Sequence, residues 1–304
     1  MIFSWLAIII LAYFFFSLSY LGDKLLLSKP QINASAYTFY VGIISIFVIV
    51  FIPFVKFVLP SATLFFWIIT DAAVYIIGMY AMFVALRKFD VSRVMTTIGA
   101  TQPIFIFALT WIFWGPQILG SINILAFILL LVGSFLISFE KKSKSNGRYL
   151  LITVLSAILF SLDYVFQKII FLQTGFLEGF ILIRVFVFIF ALLFLFSKNN
   201  RKEIFKKQNV SSKQNWVIFI GTHSSGGIAN ILQAFAISLA PVAFLPIINS
   251  SRGIQYVFLF LMTIFLSIFF PKILKEKTSK WILIQKIVSI VLIVLGLALL
   301  VYNT

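Results

Sequence analysis

Four ionisable side chains stand inside strongly apolar stretches of this chain: Asp71 after Ile68-Ile69-Thr70, Asp163 after Phe160-Ser161-Leu162, Arg184 after Ile181-Leu182-Ile183, and Arg252 between Ser251 and Gly253. A guanidinium presents a rigid fork of donors that fits a carboxylate or a phosphate. A carboxylate in such a place holds an amine or a proton. Around these four lie neutral polar groups that could complete recognition. Thr96, Thr97, Thr101, Gln102 and Pro103 fall in one stretch, and Pro246, Asn249, Ser250, Ser251, Arg252, Gly253 and Gln255 fall in another. Proline and glycine interruptions free backbone groups that a substrate, water or a neighbouring helix can satisfy. His223 sits in Thr222-His223-Ser224-Ser225-Gly226-Gly227. It is either a proton acceptor in a coupled cycle or a permanently neutral, hydrogen-bonded side chain, and the small residues beside it favour close helix packing. Without cysteine, and with one histidine, the chain has neither thiol chemistry nor the ligands of a zinc centre. It shows no phosphate-binding loop or dinucleotide fingerprint, so no cofactor is expected.

The elements that must carry these residues follow from composition. Of 304 residues, 62% are hydrophobic, 18% aromatic and 11% charged; soluble domains carry roughly a quarter charged residues. Thirty-eight phenylalanines and a mean hydropathy of +1.14 cannot be hidden in one water-soluble core. The solvent is lipid. With roughly 20 apolar residues needed per crossing, the sequence predicts an all-α polytopic membrane protein with ten spans. They lie at about 2–21, 34–55, 62–86, 92–114, 118–139, 149–171, 176–196, 216–239, 243–270 and 281–302. The first span lacks the basic flank and cleavage site of a signal peptide and is read as structural. Trp5, Trp67, Trp111, Trp114, Trp216 and Trp281 fall near span ends, as interfacial anchors do. Asn123, Glu178 and Lys286 lie where water is reachable and receive no role.

A net charge of +16 on a soluble fold would point to nucleic acid. Here most of the 24 lysines and arginines gather in the segments after spans one, three, five, seven and nine, and no nucleic-acid partner is expected. Cations are retained on the cytoplasmic side during insertion. Those five loops are therefore expected in the cytoplasm and both termini outside, in what reads as a bacterial inner or plasma membrane. On this scheme Asp71, Asp163, Arg184 and Arg252 each fall eight or nine residues from the outer end of a span, about 12–14 Å in at 1.5 Å per residue. They share one depth. An ionised group at the bilayer centre costs roughly 2.5–3.5 kcal/mol on insertion scales, so each is a site candidate, with a structural Asp163–Arg184 ion pair as the plain alternative.

The chain also repeats itself. Phe16-Ser17-Leu18-Ser19-Tyr20 to Lys24 aligns with Phe160-Ser161-Leu162-Asp163-Tyr164 to Lys168, at an offset of 144 residues. The ends of the third and eighth spans align around Ala85 and Ala236, and the fifth and tenth share Gly133 and Gly296 among aliphatics. The reading is an N-terminal five-helix repeat at 1–140, a basic cytoplasmic linker at 141–148 and a C-terminal five-helix repeat at 149–304. With five crossings each, the second copy starts from the opposite side, so the repeats are inverted. Tyr20 and Tyr164, matched in the repeat, are candidates to line a cavity between them.

Ten helices in two inverted halves, each closed by a glycine-containing aliphatic helix, resemble the drug/metabolite transporter superfamily and its EamA-like ten-helix permeases. Thr97-Ile98-Gly99-Ala100-Thr101-Gln102-Pro103 is similar to that family's small-residue-then-proline segment, and Ala85-Leu86-Arg87-Lys88-Phe89 to its Ala-Leu-basic-aromatic signature. The resemblance spans the whole chain; many relatives carry basic tails that suggest cytoplasmic termini, whereas this chain has none and its charge bias says the reverse. It implies a secondary carrier of amino acids, nucleotide-linked sugars or related metabolites, with a central cavity around Asp71, Gln102, His223, Arg252 and Gln255.

The expectation is therefore a transporter and not an enzyme: a permease or exporter of a small polar metabolite working by alternating access, with a coupling proton or counter-substrate. Arg252 or Arg184 would hold a carboxylate or phosphate, and Asp71 or Asp163 an amine or proton. The expected substrate-binding set is Asp71, Gln102, Asp163, Tyr164, Arg184, His223, Arg252 and Gln255. The rivals are an integral-membrane lipid-modifying enzyme, which usually pairs its acids or histidines at the interface, and a channel-like protein, which needs no inverted duplication.

Overall fold

The computed structural model describes residues 2–26, 34–88, 91–116, 119–138, 147–205, 213–269 and 280–302, and these contain no β-strand. Residues 141–146 of the expected linker lie outside them. Helices form wherever the apolar runs predicted them, because in lipid a helix satisfies its own backbone donors and acceptors. They are α1 (Ile2–Leu26), α2 (Ala34–Ile44), α3 (Ala62–Lys88), α4 (Val91–Trp114), α5 (Ser121–Ser138), α6 (Gly147–Thr174), α7 (Phe176–Leu192), α8 (Lys198–Ile204), α9 (Lys213–Leu239), α10 (Leu245–Ser250), α11 (Gly253–Phe269) and α12 (Lys280–Tyr302). A 3-10 stretch, Ser45–Phe54, prolongs α2.

Among the described residues, eight helices are long and apolar enough to cross a membrane. The chain is thus built as an all-helical membrane protein. Three of the ten predicted spans differ in detail. The fifth shortens to α5, whose apolar part is Ser121–Ile137. The eighth is present as α9, but Thr222-His223-Ser224-Ser225-Gly226-Gly227 and Asn230 make its described part too polar to count among the eight. The ninth is broken into α10 and α11. A short helix, α8, was not anticipated; Ser197 caps it, its hydroxyl accepting from the Asn200 amide at 3.5 Å.

The helices form two compact units, each drawing on both halves of the sequence. The first comprises Met1–Pro30, Gln117–Glu140 and Asn209–Thr304. In it α1 packs on α9 and α11, and α5 packs on α12. Glycine sets the α5–α12 crossing: a Cβ on Gly133 would lie 3.1 Å from the Ser289 carbonyl, and one on Gly296 would lie 3.1 Å from the Ala126 carbonyl. Each helix offers its small residue to the other's backbone, the means by which helices associate in lipid. The α1–α9 seam is similar, with Gly22 against Thr222 and Gly226 against Ser19. Close packing at His223's neighbours is therefore partial, since Gly221 and Gly227 face open space. Trp5, expected as an interfacial anchor, is instead fully buried, with its ring 5.6 Å from that of Phe244.

The second unit comprises Gln31–Pro116 and Lys141–Gln208. In it α6 packs on α3 and α4, while α7 lies along α2 and its 3-10 extension and also touches α3. Gly42 meets Ala191 where α2 crosses α7. Gly175, at φ 82°, is the single residue between α6 and α7. That conformation suits glycine, and it turns the chain back on itself so that α6 and α7 run as neighbours.

Candidate functional site

The turn at Gly175 dictates which side chains meet. Asp163 lies twelve residues before it and Arg184 nine after it, about 18 and 14 Å away along two helices that double back. The two groups reach similar heights. α3 joins them because Gly78 allows a close approach to α6: a Cβ there would stand 3.0 Å from the Leu159 Cβ, and the Ser156 hydroxyl donates to the Gly78 carbonyl at 2.9 Å. Asp71 and Tyr75 lie about two turns and one turn before that contact.

Asp71 is completely buried, Asp163 is 6% exposed and Arg184 is 8% exposed. Gln167, one turn beyond Asp163, donates from Nε2 to Asp163 Oδ1 at 2.9 Å. The Arg184 guanidinium lies 4.9 Å from the centre of the Tyr75 ring and 5.1 Å from that of Phe180, and it hydrogen-bonds to the Tyr75 hydroxyl. Arg184 acts electrostatically on both carboxylates, and the two carboxylates act on each other. Neither oxygen of Asp71 has a hydrogen-bond partner. The three charges thus share one field while Asp71 keeps its whole acceptor capacity unused. Buried polar groups are nearly always satisfied, so a bare carboxylate beside a second acid and a guanidinium is a candidate site.

Two further expected residues belong to this unit. Gln102, on α4, is 1% exposed; its backbone carbonyl accepts from the Ser161 hydroxyl at 3.2 Å, and its side-chain Oε1 has no partner. Tyr164 is buried on α6 beside Asp163. Tyr75 and Gln167 were not anticipated. Each lies four residues from an acid, the spacing that puts two side chains on one helix face, and that spacing could have found them. Lys168, at the end of the repeated segment, is 3% exposed.

The other three expected residues lie in the first unit. There the ninth span breaks: the backbone N–H groups of Arg252, Ile254 and Gln255 donate to the carbonyls of Asn249, Ser251 and Arg252, at 3.1, 2.9 and 3.0 Å, three residues back instead of four. Pro246 opens α10, and Gly253, packed against Ser134, opens α11. Neighbouring helices take up the carbonyls at the break, as the Tyr13 hydroxyl donates to Ile248 at 2.7 Å and the Ser134 hydroxyl to Ser250 at 2.6 Å. Asn249 is fully buried with both side-chain atoms unpartnered. Gln255 is buried, Arg252 is half-buried and acts electrostatically on Tyr256, and His223 is half-buried on α9. The expected set therefore divides into Asp71, Gln102, Asp163, Tyr164 and Arg184 in one unit, and His223, Arg252 and Gln255 in the other.

No family model and no curated protein matches this chain. Solved structures do resemble it. One crystal structure, described only as that of a protein, aligns with a TM-score of 0.69 over 98% of this chain and 96% of its own length, at 15% identity. At that identity the likeness is one of fold.

Proposed function

We propose that this chain is a secondary carrier that crosses the bilayer ten times as two inverted five-helix repeats and moves a small polar metabolite by alternating access. The observation that carries the reading is the Asp71–Asp163–Arg184 cluster: three ionisable groups, buried together on membrane-length helices, with one carboxylate left unpartnered. Charges at membrane depth mark substrate or ion pathways by default. A discontinuous helix with an unsatisfied asparagine at its break, as at Asn249, is the other feature common in carriers.

The helix pairings support the inverted duplication. In one unit the first span packs on the eighth and ninth, and in the other the sixth packs on the third and fourth; the fifth pairs with the tenth and the second with the seventh. Exchanging every span for the one five places away maps this set of pairings onto itself. Among the described residues, packing of α3 on α2, α4 and α7, of α6 on α7, and of α11 on α5 and α12 has no such counterpart. The resemblance to EamA-like permeases of the drug/metabolite transporter superfamily points the same way. The substrate carries an amine together with a carboxylate or phosphate, as amino acids and nucleotide-type solutes do, and the basic loops face the cytoplasm.

The test is a thermal-shift screen of the purified full chain against amino acids, nucleotides, sugar phosphates and simple amines, followed by counterflow in proteoliposomes with any stabilising compound. A ligand at one hundred times its dissociation constant stabilises the folded form by about 2.7 kcal/mol. That shift should vanish in Arg184→Gln while saturable uptake disappears. A stabilising ligand that is not transported, or uptake unchanged in both Arg184→Gln and Arg252→Ala, would sink the reading.

A further inference from the structure

The charges in the second unit do not balance. Two carboxylates and one guanidinium leave a net negative charge when all are ionised, and a guanidinium cannot relieve this by releasing its proton. An uncompensated buried charge costs several kcal/mol even after relaxation. Among the described residues, Arg184 is the cation that acts on the two carboxylates. The elements packed on α3 are α2, α4, α6 and α7. α6 contributes Asp163 itself, with Lys168 five residues further on, and α7 contributes Arg184. The one basic residue of α4, Arg93, stands in its first turn, about 15 Å along that helix from Gln102 and Pro103. The tyrosines of α2 are engaged elsewhere: Tyr40 donates to the Ile204 carbonyl at 2.6 Å, and Tyr37 stacks on Phe83 at 4.4 Å. On α3 itself, Tyr75 is bonded to Arg184.

We infer that Asp71 and Asp163 together hold one exchangeable proton opposite Arg184, so that the resting cluster is neutral and releases that proton when a cationic group enters. The geometry favours Asp71 as its seat, since Asp163 accepts from Gln167 and is solvated as an anion, whereas Asp71 receives no donor. Two acids that interact this closely titrate as a pair. The exchange balances: one O–H bond breaks, the proton passes to water, and the entering positive charge replaces it beside the carboxylate. The last step rests on the carrier reading. The proton itself belongs to the resting protein and can be tested alone.

The chain has only eight aspartates and glutamates, which makes infrared spectroscopy decisive. Ordinary carboxyl groups, which titrate near pH 4, are fully ionised at pH 7. At that pH the purified full chain in sodium-free deuterated buffer should retain the carbonyl stretch of one buried protonated carboxyl group. Asp71→Asn and Asp163→Asn should each lose it, because the remaining acid then balances Arg184. Arg184→Gln should double it. Absence of the band from the unaltered chain overturns the proposal whatever the variants do. Proteoliposomes loaded with a pH-sensitive dye separate the two ideas: the band with no proton movement under any candidate substrate retains the proton site and removes its exchange for a cationic substrate.

Discussion

At the scale of single residues, Asp71 and Asn249 are both completely buried with every side-chain polar atom unpartnered, yet they should respond differently to replacement. Asparagine at position 71 copies the shape of a protonated aspartate. Asp71→Asn is therefore expected to melt within about 1 kcal/mol of the parent at neutral pH. As pH rises the parent must give up the shared proton and bury an uncompensated anion, so it loses stability relative to the variant, which carries no such proton. Equal melting curves for the two proteins at every pH would contradict a proton held at Asp71. Asn249→Leu removes an amide whose desolvation is not repaid, a cost of about 1–3 kcal/mol, and should raise the melting temperature. Any ligand that stabilises the parent through this amide should lose its effect in the same variant.

Among the elements, the α5–α12 pair has the most sharply defined seam. With Gly133 and Gly296 each against the partner's backbone, leucine at either position must push the helices apart, at about 1–3 kcal/mol. Gly227→Leu is the control. Nothing lies within 4 Å of a Cβ at that position, so its melting temperature should equal or exceed the parent's. The shared glycine of the two closing spans was visible in the sequence, but not that the two helices bearing it pack on each other, since a lone glycine in an aliphatic run specifies no partner. The break in the ninth span was half legible: Pro246 and Gly253 are its punctuation, while the fates of the Ile248 and Ser250 carbonyls depend on Tyr13 and Ser134 from distant spans. α8 escaped notice because six polar and charged residues with a single isoleucine, after an apolar run, read as loop.

For the whole molecule, the positions of the helices were legible because each apolar run needs one, and Asp71, Asp163 and Arg184 stood out because lipid penalises them. What periodicity could not supply was the sorting of eight expected site residues into two units, which depends on which spans neighbour one another. Burial was misjudged for the same reason at Trp5. Orientation remains a question of charge, and the absence of cysteine makes it easy to ask. Ser145→Cys should react with a membrane-impermeant maleimide only from the cytoplasmic side, and Gln117→Cys only from outside; the opposite pattern would show that the basic loops do not set the topology. Trp5 offers a built-in reporter. Its indole is sealed from solvent against Phe244, at the head of the interrupted ninth span. In a variant with phenylalanine at the other five tryptophan positions, its emission should be strongly blue, and any stroke that pulls the Phe244 end away from α1 would be read as a shift to the red, in real time and without a label.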